Sequence, residues 1–286
     1  MRYAKPKSID EALALLAQDR WRILAGGTDF YAAQGRQPHR QSVLDINGLD
    51  ALRHIGETES HILLGARATW SDVIAAENLP PAFDALKLAA REVGSAQIQN
   101  TGTVAGNLCN ASPAADGVPP LLTLDAEVEL RSAAAARILK LGDFIHGNRR
   151  TALAPGEMVT AVRVPKRAAA GASHFQKLGA RRYLVISIAM AAARIAVDED
   201  GRVSEAAIAV GACSAVAARL CALEAAMKGR PAGASLDALV ADHDFAELSP
   251  IDDVRATADY RREAAREIVA RAIAGALAGR RESMAA

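Results

Sequence analysis

Two adjacent glycines at the end of an apolar run constrain this chain more than any other feature. Residues 23–30 read ILAGGTDF, so a short strand runs into Gly26 and Gly27 and then meets Thr28. Glycine pairs occur where the backbone needs a positive φ or where another group must come close to it. A threonine placed next is typical of a helix N-terminus. The corner is therefore either a tight turn or a cradle whose free backbone N–H groups bind an anion.

Length and charge restrict the class of protein. The 286 residues suffice for two domains or one large domain, and a hydrophobic fraction of 51% supports a sizeable core. Lysine and arginine number 34 against 33 acidic residues, which leaves a net charge of +1. Nucleic-acid-binding proteins usually carry a strong basic excess, so we expect no nucleic-acid partner.

One basic cluster lies on a predicted C-terminal helix. It comprises Arg261, Arg262, Arg266 and Arg271, interleaved with Glu263 and Glu267. Opposite charges three or four residues apart lie side by side on a helix. The pattern therefore predicts a solvated, ion-paired helix face.

The N-terminal sequence MRYAKPKSIDEAL lacks the apolar segment of a secretory signal. The longest apolar run, residues 185–197, is interrupted by Arg194 and is shorter than the ~20 residues that span a bilayer. We expect a cytoplasmic protein with no membrane partner.

The three cysteines, Cys109, Cys213 and Cys221, form neither a CxxC motif nor a Cys/His metal-ligand spacing. An iron–sulfur cluster held by this chain alone needs about four thiolates. We therefore expect no metal site and no structural disulfide, and we interpret Cys109 as a packing residue.

Capping signals and hydrophobic periodicity predict the secondary structure of the first part of the chain. Ser8 with Glu11, and Thr69 with Asp72, are capping signals that each open a helix. The remaining predicted elements are strands at 22–25, 42–46, 61–66, 126–131 and 158–164, and a helix at 81–93.

The last third of the chain reads as a separate unit. The segment 165–171 (PKRAAAG) is the best candidate for a linker. Beyond it, the apolar segments 174–178, 185–197 and 203–210 predict a three-stranded antiparallel sheet, and helices are predicted at 216–228, 235–242 and 259–279, with Gly279 near the last stop. Strands followed by helices without regular alternation favour an α+β fold. We expect domains at 1–168 and 172–286.

The middle segment, NTGTVAGNLCNASPAADGVPPLL at residues 100–122, departs from this pattern. Its small polar residues are compatible with a surface loop. Loops longer than about 12–15 residues are usually either functional or disordered, and the flanking Val104 and Leu108 argue against disorder. A ligand-binding loop is the favoured interpretation.

This segment offers groups that suit a diphosphate. Gly102, Thr103, Gly106 and Asn107 supply backbone N–H groups and short polar side chains, and Asp116 can accept from a ribose hydroxyl. The two glycine-containing loops, near 26–29 and 102–107, are able to hold one diphosphate from opposite sides. No GxGxxG follows a strand and no GxxxxGK[ST] is present, which disfavours a Rossmann site and excludes a P-loop.

The motifs AGGTD (25–29), TGTVAGN (101–107) and NASPAAD (110–116) together resemble the FAD-binding medium subunit of the molybdenum hydroxylases. This is the xanthine dehydrogenase, carbon monoxide dehydrogenase and 4-hydroxybenzoyl-CoA reductase family. The resemblance extends over essentially the whole chain. It implies a two-lobed FAD-binding domain of the vanillyl-alcohol-oxidase (PCMH) type, followed by a small α+β domain.

The resemblance also implies which residues bind the cofactor. The first loop contributes Ile23, Leu24, Ala25, Gly26, Gly27, Thr28, Asp29 and Phe30, and the opposing clamp contributes Gly102, Thr103, Gly106 and Asn107. Asp116 is expected at the cofactor's polar end, Val159 against the flavin, and Lys177, within FQKLGARR (175–182), near the isoalloxazine. Many members have an aspartate shortly after the double arginine, and residues 183–187 contain none.

The resemblance finally implies the role of the chain. FAD is expected to be non-covalent, with the molybdenum cofactor in a large partner subunit and [2Fe-2S] clusters in a small one, as a heterotrimer or its dimer. The chain would pass electrons from the clusters to NAD⁺, O₂ or another acceptor. Two alternatives are a self-sufficient FAD-dependent oxidoreductase with its own substrate and a cofactor-free interaction subunit.

Overall fold

The computed structural model describes residues 2–34, 40–233 and 235–285. The strands of this part are β1 (Tyr3–Ala4), β2 (Trp21–Leu24), β3 (Ser42–Asp45), β4 (Ile55–Glu57), β5 (His61–Gly65), β6 (Glu127–Arg131), β7 (Ala136–Lys140), β8 (Ile145–Gly147), β9 (Arg150–Thr151), β10 (Met158–Pro165), β11 (Ala172–Leu178), β12 (Ala189–Val197), β13 (Val203–Gly211) and β14 (Ala218–Arg219).

Its α-helices are mostly short. They are α1 (Ile9–Gln18), α2 (Trp70–Ala75), α3 (Asp84–Glu92), α4 (Ala96–Thr101), α5 (Val104–Asn110), α6 (Val118–Thr123), α7 (Leu141–Phe144), α8 (Cys221–Met227), α9 (Ser235–Asp242) and α10 (Ala258–Ala285). Single 3-10 turns lie at Ala32–Gln34, Ile46–Gly48, Asp50–Leu52, Pro81–Phe83 and Lys166–Ala169.

The first lobe is a small parallel sheet with strand order β1-β3-β2. The predicted capping signal at Ser8 is confirmed. The Ser8 hydroxyl accepts a hydrogen bond from the backbone N–H of Glu11 at 3.1 Å, and α1 starts at Ile9, directly after Ser8. The apolar face of α1 then packs Leu13 and Leu16 into the core. The helix connects β1 to β2, so the strands that flank it run parallel.

The second lobe is an antiparallel sheet with strand order β4-β5-β10-β6-β7. The central strand β10 is buried along most of its length, as its apolar sequence MVTAVRVP predicts. Its register shifts between Val159 and Ala161, which marks a bulge. Side chains of both lobes, from Ala12 to Val164, belong to one core cluster. The two lobes are therefore one folding unit.

The C-terminal sheet has strand order β11-β12-β13-β14, one strand more than the predicted three. The additional strand, β14, pairs Arg219 with Ala209 on β13. The predicted helix at 216–228 consequently begins only at Cys221. Arg219 is held here by Glu224 and by two groups far away in the sequence, the carbonyl of Leu122 and the carboxylate of Asp125, and local propensity cannot report the distant pair.

Strand β12 is covered on both faces. Alternate residues such as Ala191 and Ile195 pack against the helices α8–α10, whereas Met190 and Ala192 pack against α3 of the first unit. Residues of a strand alternate between the faces of a sheet, so a strand buried on both sides must be apolar throughout. This double burial explains why the sequence of β12 is almost entirely apolar.

Polar side chains of the C-terminal sheet cap two helices of the first unit. Arg194 donates from Nε to the carbonyl of Thr123 at 2.8 Å, and Arg219 donates from Nη1 to the carbonyl of Leu122 at 2.9 Å, both at the end of α6. At the start of α3, the hydroxyl of Ser173 accepts from the N–H of Ala85 at 2.9 Å. Helix termini have unpaired backbone groups, and here the other domain pairs them.

The long helix α10 differs from its prediction in two respects. It continues through Gly279 to Ala285 instead of stopping near the glycine. Arg261 is buried and donates to the carboxylate of Asp253 at 2.6 Å, so the predicted solvated face is wrong for this residue. It is confirmed for Arg266 and Arg271, which form ion pairs along the helix. Within the described chain, neither α10 nor any other helix is both long and apolar enough to cross a membrane.

The contacts of Arg194 predict a measurable effect on stability. Replacement by methionine (Arg194→Met) leaves the carbonyls of Thr123 and Ala170 without their donor. We expect the free energy of unfolding to fall by about 3 kcal/mol in urea denaturation. Arg271→Met, which removes an exposed ion pair with Glu267, is the control and should change it by less than about 1 kcal/mol. Equal losses in the two variants would contradict the capping role.

Candidate cofactor site

The first glycine loop leaves β2 after Leu24 and depends on both glycines. A Cβ atom at Gly26 would lie only 1.8 Å from the backbone oxygen of Thr101, so no other residue fits there. Gly27 has a φ of 75°, which side chains rarely adopt. The helix expected after Thr28 is absent, since turns lead directly into the 3-10 turn at Ala32–Gln34. The close approach of Thr101 therefore explains the glycine at position 26, and the positive φ explains the glycine at position 27.

The middle segment folds into three short helices, α4, α5 and α6, and not into the expected loop. Thr103 caps α5, because its hydroxyl accepts from the N–H of Gly106 at 2.9 Å. Val104 and Leu108 are buried on one side of α5. The opposite side carries Asn107 with the other small polar residues of the helix. The sequence already contains this helical spacing of apolar and polar residues, which the prediction of a loop did not use.

A cavity of about 1130 Å³ lies between the two loops. This volume slightly exceeds the range of about 300–1,000 Å³ common for small-molecule sites, so the cavity has room for a large ligand. Most of the predicted site residues line it: Ile23, Ala25, Gly26, Gly27, Thr28, Asp29, Phe30, Gly102, Thr103, Gly106, Asn107 and Val159. The close approach of Gly26 to Thr101 thus brings two segments about 75 residues apart onto one cavity.

Three predicted residues lie outside the lining. Leu24 is buried in the core, because it points to the opposite side of β2 from Ile23. Asp116 and Lys177 form an ion pair of 2.6 Å, and the hydroxyl of Ser187 donates to Asp116 at 2.7 Å. Both charged side chains are nearly inaccessible, at 9% and 6% exposure. The pair joins the first unit to the C-terminal unit.

Burial dominates the electrostatics of Asp116. Removal from water raises the pKa of this carboxyl above its ordinary value, while Lys177 and the Ser187 hydroxyl oppose the shift. The ion pair is therefore needed to keep the carboxylate charged inside the protein.

Sequence reasoning missed two residues that support the loops. Asn47 donates from Nδ2 to the carbonyl of Ala25 at 2.7 Å and so fixes the first loop. Trp70 lies beneath the second loop, where its backbone N–H donates to the carbonyl of Gly102 at 3.1 Å. A Cβ at Gly117 would lie 2.4 Å from the Trp70 ring. The one sequence signal near Trp70 is the capping motif formed by Thr69 and Asp72, which predicts a helix start but not a support for the loop.

The cavity wall offers unpaired polar groups to a ligand. The backbone N–H groups of Gly27 and Thr28 have no hydrogen-bond acceptor among the residues described. Asn107 also lines the cavity, although its side-chain oxygen Oδ1 is buried on the side of Gly117. Val159 and Ile98 add apolar surface. Free donors next to apolar walls suit a phosphate-containing cofactor with flat rings.

The position of Cys109 corrects another expectation. We interpreted this residue as packing, but its side chain faces the cavity and is accessible there. The protein groups packed around the thiol nevertheless limit its hydration and raise the pKa of Cys109 to about 12. The thiol is thus protonated at neutral pH, which makes it a poor nucleophile.

The fold and the cavity together define a two-lobed protein whose cavity suits a phosphate-containing cofactor. Residues 1–167 match the family model described as the FAD binding domain in molybdopterin dehydrogenase. Residues 174–276 match that of the CO dehydrogenase flavoprotein C-terminal domain. The chain belongs to the family of FAD-binding medium subunits of molybdenum hydroxylases, which confirms the resemblance and the fold class inferred from the sequence.

Individual relatives agree with this assignment. The FAD-subunit of nicotinate dehydrogenase from Eubacterium barkeri is 39% identical over 206 residues, which cover 68% of this chain and 69% of the relative. The medium chain of carbon monoxide dehydrogenase from Hydrogenophaga pseudoflava is 27% identical over 280 residues and 96% of each chain. A solved structure of carbon monoxide dehydrogenase from the same organism superimposes with a TM-score of 0.89 at 29% identity, over 98% of both chains.

The close approach at Gly26 predicts the effect of a single methyl group. In Gly26→Ala the new Cβ meets the Thr101 oxygen, so the two loops must separate. We expect a loss of about 3 kcal/mol or more in the free energy of unfolding, measured by urea denaturation. Gly142→Ala, on the short helix α7, meets nothing within 4 Å and serves as the control. Unchanged stability of Gly26→Ala would mean that the loops do not touch.

The buried ion pair predicts a pH-dependent loss of stability. In Lys177→Met the pKa of Asp116 rises further, and the unfolded chain then releases the Asp116 proton at a lower pH than the folded chain. Stability therefore falls as pH rises above the ordinary value of 3.8. We expect a loss of about 3 kcal/mol near pH 8 and a much smaller loss near pH 5.

The control for this prediction is the double variant Lys177→Met/Asp116→Asn, which removes both charges and should recover most of the stability at the higher pH. Denaturation curves of the FAD-free chain at both pH values provide the measurement. A loss that is the same at both pH values would show that Asp116 is not charged beside Lys177.

Proposed function

We propose that the cavity between the two loops holds FAD non-covalently and that the chain transfers electrons within a molybdenum hydroxylase complex. The single observation that carries this proposal is the contact of Gly26 with Thr101, which places free backbone donors and a polar helix face on one cavity. A diphosphate lies between such groups in many nucleotide sites. The family assignment supports FAD as the particular cofactor.

Each lining residue then has a specific task. Gly26, Gly27 and Thr28 lie nearest the diphosphate, because the N–H groups of Gly27 and Thr28 are free. Asn107 contributes a polar residue to the opposing wall. Val159 supplies an aliphatic contact to a ring. The chemistry of the site comes from the flavin, which exchanges electrons one or two at a time.

Asp116 and Lys177 act on the cofactor from behind the cavity wall in this proposal. Their ion pair connects the first unit to the C-terminal sheet and sets the position of the loop that follows β11. Direct contact of either residue with FAD stays a prediction from the family resemblance.

The proposed domain boundaries are 1–168 for the FAD-binding domain and 172–286 for the C-terminal domain. They are supported by the ranges of the two family models and by the separate cores of the two units. The 3-10 turn Lys166–Ala169 lies at the end of the first domain, and residues 169–171 connect it to the second.

The partners follow from the relatives. We propose a cytoplasmic complex with a large molybdenum-cofactor subunit and a small [2Fe-2S] subunit, assembled as a heterotrimer or its dimer. The relatives include a nicotinate dehydrogenase FAD-subunit and a carbon monoxide dehydrogenase medium chain, both parts of larger enzymes. The substrate is bound by another polypeptide in this arrangement, so the residues of this chain do not select it.

An absorbance spectrum of the purified chain tests the proposal. We expect flavin bands near ~450 nm and release of FAD by acid precipitation. Co-expression with the neighbouring genes should add the broad absorbance of iron–sulfur clusters. A chain that stays colourless after incubation with FAD would refute the flavin site. If the chain binds flavin but no partner subunit co-purifies on co-expression, the proposed complex is refuted and the flavin site is not.

A further inference from the structure

The hairpin of β8 and β9 reaches the rim of the cavity through a strained turn. Arg149 lies in this turn with a φ of 56°, in the left-handed region that non-glycine residues seldom occupy. Its backbone N–H donates to the carbonyl of Ala111 at 3.3 Å, where α5 ends. Ala111 is left-handed as well, with a φ of 47°. The turn is therefore fastened to the helix that lines the cavity.

Strained backbone persists only where the surrounding structure holds it, and it is concentrated at functional sites. Here the strained turn has a visible consequence, because it brings Arg149 to the lining of the cavity together with Asn110 and Cys109. The next residue, Arg150, is the first residue of β9; it is exposed like Arg149 but does not belong to the lining. The hairpin thus places one of two neighbouring arginines at the cavity.

The guanidinium of Arg149 has no partner among the described side chains. It forms no ion pair, side-chain hydrogen bond or ring contact within that part of the chain. Arg22 also lines the cavity, but its guanidinium has partners. It donates a hydrogen bond to the carbonyl of Phe30 at 3.3 Å and stacks on the Phe30 ring. A free guanidinium on the wall of a cavity is a ready donor for an anionic oxygen.

We propose that Arg149 is an anion-recognition residue of the FAD site, and this inference rests on the proposed function. Two negative groups of the cofactor share the required chemistry. One is the diphosphate, which is charged in every redox state, and the other is the charge that the flavin ring gains when it is reduced. Arg149 binds one of them through charge-assisted hydrogen bonds.

Three single variants of the full chain test the inference. Arg149→Gln removes the charge but keeps a non-glycine side chain at the strained φ. Arg149→Lys keeps the charge but loses the forked donor geometry. Arg150→Gln is the matched control, because it removes the same charge from the same hairpin outside the cavity. Circular dichroism verifies that all three fold like the wild type.

Two quantities are measured for each variant. The first is the Kd of oxidised FAD for the FAD-free chain, titrated at low and at high ionic strength. The second is the midpoint potential of the bound flavin, obtained against a reference dye. Because salt screens charge interactions, a contact that depends on charge shows a Kd that rises with ionic strength.

If Arg149 binds the diphosphate, Arg149→Gln raises the Kd about tenfold and flattens its salt dependence, and Arg149→Lys falls between the two. If Arg149 binds the reduced ring, the Kd of oxidised FAD stays unchanged and reduced FAD binds about tenfold more weakly. For a two-electron couple this fold-change lowers the midpoint potential by about 30 mV. Arg150→Gln matches the wild type in both cases.

An Arg149→Gln variant with unchanged Kd and unchanged potential would overturn the inference, as would an Arg150→Gln variant with equal effects. Both results leave the proposed function intact, because the wild-type chain still binds FAD. A wild-type chain that takes up no FAD refutes the proposed function, and the inference about Arg149 is then refuted with it.

Discussion

The cavity depends on one contact between two backbones, that of Gly26 with the carbonyl of Thr101. This contact brings the end of β2 in the first lobe against the end of α4, just before α5, which packs on the second lobe. A residue with a Cβ would separate the lobes at this point, and the free N–H groups would then face a wider cleft. Because the contact involves only backbone and Cα atoms, it can hold the two walls at a fixed spacing while leaving their polar groups available.

The C-terminal sheet depends on its junction with the first unit. The C-terminal sheet is apolar on both faces, so it requires α3 and α6 of the first unit as much as its own helices. The same sheet provides Ser173 and Arg194, which pair with the ends of those two helices. Asp116 and Lys177 add a buried ion pair across the junction. Apolar burial gives this interface its area, and the polar groups fix its register, since a shifted sheet would leave each of them unpaired.

For the middle segment, the sequence pattern predicted the right residues at the cavity but the wrong secondary structure. Glycine, asparagine and proline suggested an irregular ligand loop, and the residues involved do line the cavity. Their spacing, however, has the period of a helix, with Val104 and Leu108 on the buried side and Asn107 on the other. Low intrinsic helix propensity concealed this period. Tertiary packing of the buried side overrides propensity in so short a helix.

The sequence by itself determined the local features: the glycine pair, the caps of α1 and α2, the buried strand β10 and the family to which the chain belongs. These depend on residues close together in the chain. The tertiary structure alone decided that Leu24 faces the core, that Asp116 pairs with Lys177 and that Arg149 lines the cavity. Each of these depends on a partner or an anchor far away in the sequence. Local propensity carries no information about such distant groups, because only the packed fold brings them within reach of one another.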